Sequence, residues 1–183
     1  MELKDLKKVH NGKYLKQYEL SYTNNAGREK KYEIVSRKDL GGPEDLGRRV
    51  SGVSIIAYKD GKMLLLHEFR MALNKEIYNL CAGMIEEGET IEECVKRELY
   101  EETGLRVKRF IDILPPSFSA VGISDISTQI VFVEAEGEFS YHTSDNEQIK
   151  AAFYSKEEVE QLLLTEEFSA RSQIAAYFFV KNH

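Results

Sequence analysis

Glu98 and Glu102 stand four residues apart in the stretch "GETIEECVKRELYEETGL", Gly88 to Leu105. On a helix, side chains at that spacing are neighbours on one ridge. Carboxylates drawn together near a core lose solvation and repel one another, so something must offset the cost. Proton uptake, basic partners and a metal cation are the three available means. Hard oxygen donors in this pattern suit Mg2+ or Mn2+. Arg97 is the nearest fixed positive charge, and a guanidinium can hold a carboxylate by a bidentate pair. The bland alternative is a solvated, Glu-rich helix face.

The helix itself is well delimited. Thr90 followed by Glu93 is a capping-box pattern, and Gly104 is a residue suited to a left-handed helix end. With Ile91 set at zero and about 100° per residue, Cys94, Val95 and Leu99 define a buried stripe at about 300°, 40° and 80°. Glu101, Glu98 and Glu102 fall at about 280°, 340° and 20°, within or beside that stripe. Glu93, Lys96 and Tyr100 face the other way.

The elements around this helix read as strands first. "YLKQYELSY", the turn signal "NNAG" and "KKYEIV" predict a hairpin, and the Gly- and Pro-rich "LGGPEDLG" after it is a boundary. Residues 1–47 are therefore expected to form an N-terminal β extension, and 48–183 the main domain. Asp60-Gly61 between "VSGVSIIAY" and "KMLLLHEFR" predicts a second hairpin. A strand near "EIYNLC" leads into "AGMIEEGE", expected as a loop. "FIDIL", "STQIVFVEAEG" and "IKAAFY" read as strands and "HTSDNEQ" as a loop. Ser155 with Glu158 caps one late helix. Ser169 opens another, with Ile174, Tyr177 and Phe178 as its apolar face. Strands mixed with a few helices predict a layered α/β or α+β sandwich.

The chain has 183 residues, enough for one domain or one domain with an appendage. Its net charge of −6 argues against a nucleic-acid footprint. Cys81 and Cys94 form no zinc pattern and read as two buried free thiols. "MELKDLKKVH" is too charged for a signal peptide, and no apolar run approaches a membrane span of about 20 residues. The expectation is a cytoplasmic protein with no membrane and no nucleic acid partner. The four histidines have no ligand-like spacing, and His67 reads as structural.

The full spacing resembles a known signature. From Gly83, five residues lead to Glu89, and seven more lead to Arg97-Glu98-Leu99-Tyr100-Glu101-Glu102-Thr103-Gly104-Leu105. This resembles the Nudix box, G-x5-E-x7-R-E-U-x-E-E-x-G-U with U apolar, at every defined position. The resemblance implies a Nudix α/β/α sandwich on a mixed sheet and Mg2+-dependent hydrolysis of a nucleoside diphosphate linked to another group, with Mn2+ as a possible substitute. It implies Glu98, Glu101 and Glu102 as metal carboxylates, with Glu89 and the carbonyl of Ala82 assisting. It implies Arg97 as the residue that orients them, and Gly83 and Gly104 as shapers of the loop and the helix end.

"HEFR", "LCAG" and "SDNEQIKAAFYSKEEVEQL" further resemble the ADP-ribose pyrophosphatase branch. That likeness implies Arg70 as a phosphate contact, Asp145 or Glu147 as general base, and N-terminal strands that form a homodimer. The segment "AVGISDI" departs from the branch: Val121 stands where Pro is usual and Ile126 where Glu is usual. The departure bears on the identity of the sugar more than on the reaction. The expected activity is cleavage of ADP-ribose or a related nucleoside diphosphate sugar to a nucleoside monophosphate and a sugar phosphate. A non-catalytic nucleotide-sugar sensor, or a pyrophosphatase for a different nucleoside diphosphate derivative, is the alternative.

Overall fold

Tyr18, Leu20 and Ile34 occupy alternate strand positions, and with Leu40 they close a small core of their own. They lie on β2 (Lys16–Thr23) and β3 (Glu29–Ser36), the hairpin expected from the sequence. A strand the sequence reading passed over, β1 (Glu2–Asn11), pairs antiparallel with β2. Nearly all its side chains are exposed, so it carries no hydrophobic alternation to reveal it. The computed structural model describes residues 1–140 and 148–181. It divides into two units, Met1–Ser51 with Pro116–Thr128, and Gly52–Pro115 with Gln129–His183.

The second unit holds the Glu-rich helix. Its strands are β4 (Val50–Lys59), β5 (Lys62–Arg70), β6 (Lys75–Asn79), β7 (Cys81–Met84) and β8 (Arg106–Ile113). β10 (Ser127–Glu136) and β11 (Ile149–Tyr154) complete the set, while the short β9 (Ser117–Phe118) lies in the first unit, where it pairs with Ser127 and Thr128, the first residues of β10. The sheet runs β11-β5-β4-β10-β8, with β6 beside β5 and β7 beside β4. Asp60 and Gly61 turn β4 into β5 with φ of 50° and 74°. Both angles are those a tight hairpin turn demands, and an Asp-Gly pair tolerates them.

Two strands explain the layering. Val53, Ile55 and Ala57 of β4 and Leu64 and Leu66 of β5 face one core with Cys94, Val95 and Leu99 of α1 (Ile91–Thr103). Ile56 of β4 and Met63 and Leu65 of β5 face the opposite core. There they meet Val159 of α2 (Lys156–Thr165) and Ala176 of α3 (Ala170–Lys181). Strands buried on both faces read as continuous apolar runs, as "VSIIAY" and "MLLL" do. One helix on one side and two on the other make an α/β/α arrangement.

Two local expectations are corrected. Ala82, Gly83 and Met84 belong to β7, paired with Ser54, Val53 and Gly52, rather than to a loop. On α3, Ile174, Tyr177 and Phe178 are 59%, 52% and 56% exposed, so they are not its inner face. Ser172 and Ala176 are buried instead. The Ser172 hydroxyl donates to the Tyr78 carbonyl at 3.0 Å, which lets a small polar residue sit where a large apolar one was expected. Among the described residues, no helix is long and apolar enough to cross a membrane.

Candidate functional site

The α1 helix begins and ends where its sequence signals put it. Thr90 and Glu93 form the reciprocal capping box, and Gly104 takes φ 78° with its N–H bonded to the Tyr100 carbonyl. The buried stripe of Cys94, Val95 and Leu99 sets the rotation of the helix, and that rotation turns Glu98 and Glu102 toward β7. Glu101 sits at the edge of the stripe, with its side chain 51% exposed.

Arg97 is the hub of the cluster. Its Nε and Nη2 donate to the two carboxylate oxygens of Glu89 at 2.8 and 2.9 Å, a bidentate pair. Nη1 donates to Glu98 at 2.7 Å and to Glu101 at 3.1 Å, and Nη2 also reaches the Met84 carbonyl at 2.9 Å. One guanidinium thus ties the loop before α1, the end of β7 and two of the helix carboxylates. Glu89 also accepts the Glu86 N–H at 2.9 Å. The Arg97 bonds hold the Glu89 carboxyl down at about 2.

Glu98 and Glu102 have the opposite electrostatics. Burial raises the Glu98 carboxyl above its ordinary value although Arg97 opposes the shift. Burial pushes Glu102 up to about 8, and the charges of Glu98 and Glu68 push the same way. Glu102 accepts the Ala82 N–H at 3.2 Å, and among the described residues no cation lies within ion-pair distance of it. Gly83 makes the close approach possible. A Cβ built there would overlap both carboxylate oxygens of Glu98, so any side chain at this position would displace that carboxylate.

Among the described residues, no three His, Cys, Asp or Glu side chains already converge as a metal cage. The donor chemistry nonetheless fits a hard divalent cation. Two carboxylates share a ridge, the glycine cradle admits one of them, and the other is desolvated with no countercharge among the described residues. The residues that could hold such an ion are Glu98 and Glu102, with Glu101, Glu89 and the Ala82 carbonyl nearby in sequence and fold.

Arg70, the expected phosphate contact, lies at the end of β5 with its side chain 53% exposed. Asp145 and Glu147, the expected bases, lie outside the described residues. His67 packs against Tyr78, with ring centroids 4.7 Å apart, as a structural histidine would. Cys81 heads β7 and Cys94 lies on α1; both are buried and free. Burial raises both thiols, that of Cys94 to about 12.

The sequence reading missed Glu68. It lies on β5, 6% exposed, and its charge acts on Glu102. A signal was present: Leu64 and Leu66 face α1, so Glu68 and Arg70, two and four residues beyond Leu66, point to that same side.

The comparisons with known proteins agree with this geometry. The chain is 29% identical over 141 residues to an ADP-ribose pyrophosphatase of Saccharomyces cerevisiae, covering 74% of this chain and 59% of that one. It is 30% identical over 130 residues to an NAD-capped RNA hydrolase, NudC, of Mycobacterium bovis, covering 68% of this chain and 39% of that one. The matched stretches thus span less than two thirds of either relative. A solved ADP compounds hydrolase superposes with a TM-score of 0.76 at 18% identity, covering 99% of this chain and 93% of that one, a likeness of fold. The NUDIX domain model matches residues 48–177, well over half of the chain. With the box complete and the helix, glycine cradle and arginine hub in place, this chain belongs to the Nudix hydrolase family.

Proposed function

We propose that this chain hydrolyses the pyrophosphate bond of ADP-ribose or a related nucleoside diphosphate sugar, with Mg2+, as a cytoplasmic homodimer. The products are AMP, or another nucleoside monophosphate, and a sugar phosphate. The observation that carries this reading is a pair of partly buried carboxylates, Glu98 against Gly83 and Glu102 against the Ala82 N–H, with no countercharge on Glu102 among the described residues. A carboxylate-lined site repels a diphosphate. A bound divalent cation inverts that sign, polarises phosphorus and lowers the pKa of a bound water.

In this reading Glu98 and Glu102 hold the ion, assisted by Glu101, Glu89 and the Ala82 carbonyl. Arg97 keeps the carboxylates in register, and Arg70 meets the phosphates. Asp145 or Glu147 takes the proton from the attacking water, and the bridging P–O bond breaks. A positioned base of this kind contributes about 10²- to 10⁴-fold. The likeness to a yeast ADP-ribose pyrophosphatase supports the substrate class. The likeness to an NAD-capped RNA hydrolase supports a second reading, a dinucleotide joined through the same P–O–P link. Exposed Val9, Tyr14 and Leu15 in the N-terminal unit support a dimer through residues 1–47. Two buried free thiols suit a reducing compartment.

The test is a substrate panel with purified protein: ADP-ribose, other nucleoside diphosphate sugars and NADH, each with Mg2+ and with chelator. Release of AMP that chelation abolishes is expected. Tight binding without turnover across the panel would favour the sensor instead.

A further inference from the structure

We propose that Glu68 is a positioning residue, which fixes the reach of Arg70 toward the diphosphate of the substrate. The inference rests on the pyrophosphatase reading above and assigns a role to a side chain outside the Nudix box.

Glu68 and Arg70 are two residues apart on β5, so their side chains leave the same face of the sheet. Leu64 and Leu66 of that face are buried against α1. The Glu68 carboxylate accepts the Asn79 Nδ2–H at 2.6 Å. It also accepts from Arg70 Nη1, which lies 3.3 and 3.4 Å from its two oxygens. Asn79 is held in turn, because its Oδ1 accepts the Ser169 hydroxyl at 2.7 Å and the Leu80 N–H at 3.0 Å. A line of hydrogen bonds therefore runs from Ser169, just before α3, through Asn79 and Glu68 to Arg70.

A carboxylate this buried is costly to keep, and a long arginine half in solvent is costly to order. The arrangement pairs the two costs. Glu68 is immobilised by Asn79, and it immobilises one edge of the Arg70 guanidinium. A guanidinium has five N–H donors on a planar fork, so fixing it through Nη1 leaves donors for an anion at a set distance. Glu68 also lies close enough to Glu102 for its charge to be felt there. The same carboxylate therefore acts on both the arginine and one of the cation-holding acids. A diphosphate bridging a cation and Arg70 would depend on where that carboxylate holds the guanidinium.

The experiment is a double-mutant cycle with ADP-ribose at saturating Mg2+: wild type, Glu68→Gln, Arg70→Ala and the double variant. Gln keeps the size of the side chain and an acceptor for Asn79, and it removes the charge that holds Arg70. Glu68→Gln is expected to raise KM about tenfold, the size of one charge-assisted hydrogen bond, and to change kcat by less than about threefold. Arg70→Ala is expected to raise KM at least as far, and the double variant to match Arg70→Ala alone. An unchanged KM in Glu68→Gln, or equal effects of Glu68→Gln with and without Arg70, would overturn the inference while leaving the pyrophosphatase reading standing. A wild type that turns over nothing in the panel would overturn that reading first, and this inference with it.

Discussion

Replacing Gly83 by alanine isolates the geometric core of the site. Gly83 is paired opposite Val53 in β7, and it is not among the residues with positive φ, so alanine meets no backbone strain there. The added methyl meets the Glu98 carboxylate instead, overlapping both of its oxygens. Glu98 must swing away, and in doing so it gives up the 2.7 Å bond from Arg97 Nη1. A hydrogen bond to a charged partner contributes about 1.5–3 kcal/mol. At about 1.4 kcal/mol per decade, kcat/KM should fall about 10- to 100-fold, with a matching rise in the Mg2+ concentration needed for half activity. The assay is steady-state hydrolysis of ADP-ribose across a Mg2+ titration, alongside thermal unfolding to show that the fold is kept. A shorter acid avoids the methyl, so Gly83→Ala added to Glu98→Asp should cost little beyond Glu98→Asp alone. If Gly83→Ala retains activity within about twofold of wild type at limiting Mg2+, the cradle argument is wrong.

Other consequences follow from the charges and the helix ends. Glu102 sits at about 8 in the folded chain against an ordinary 4.5. Its contribution to stability is therefore full below about 4.5 and is lost as pH rises through about 8, on the order of 5 kcal/mol over the whole range. Chelator-treated protein should lose stability over that window, and Glu102→Gln should flatten the profile; parallel urea-unfolding curves for the two would refute the assignment. Arg97→Lys replaces a bidentate fork by a point charge, so kcat/KM should drop by at least about tenfold even though the net charge is unchanged. Gly104→Ala forces a side chain into a left-handed position where a Cβ would also meet Ser140. It should cost at least about 1–2 kcal/mol, the left-handed conformation alone, in thermal or urea unfolding, and no loss would mean that the helix end relaxes freely.

The sequence was most legible where the signal is local. The capping box at Thr90, the left-handed Gly104 and the Asp60-Gly61 turn are each decided by a few adjacent residues, and each lies where expected. The face of α1 was legible as well, because Cys94, Val95 and Leu99 outweigh the acids beside them. Legibility failed where a partner decides the outcome. β1 is a strand because β2 offers it an edge, not because of its own pattern. Residues 82–84 pair with β4, and a glycine between Ala82 and Met84 does not announce that. α3 turns Ser172 inward because Tyr78 presents a carbonyl to it, which no periodicity contains. Glu68 was passed over because a charged residue at a strand end reads as solvated, and only its alternation with Leu64 and Leu66 says otherwise.

The two thiols flanking the site have a use of their own. Only the thiolate attacks an alkylating reagent, and burial keeps Cys81 and Cys94 protonated and out of reach. Alkylation of either therefore awaits the parting of β7 from α1, the two elements that carry Gly83, Glu98 and Glu102. The rate of labelling is thus a built-in clock for how often the Nudix box comes apart, read without any substrate.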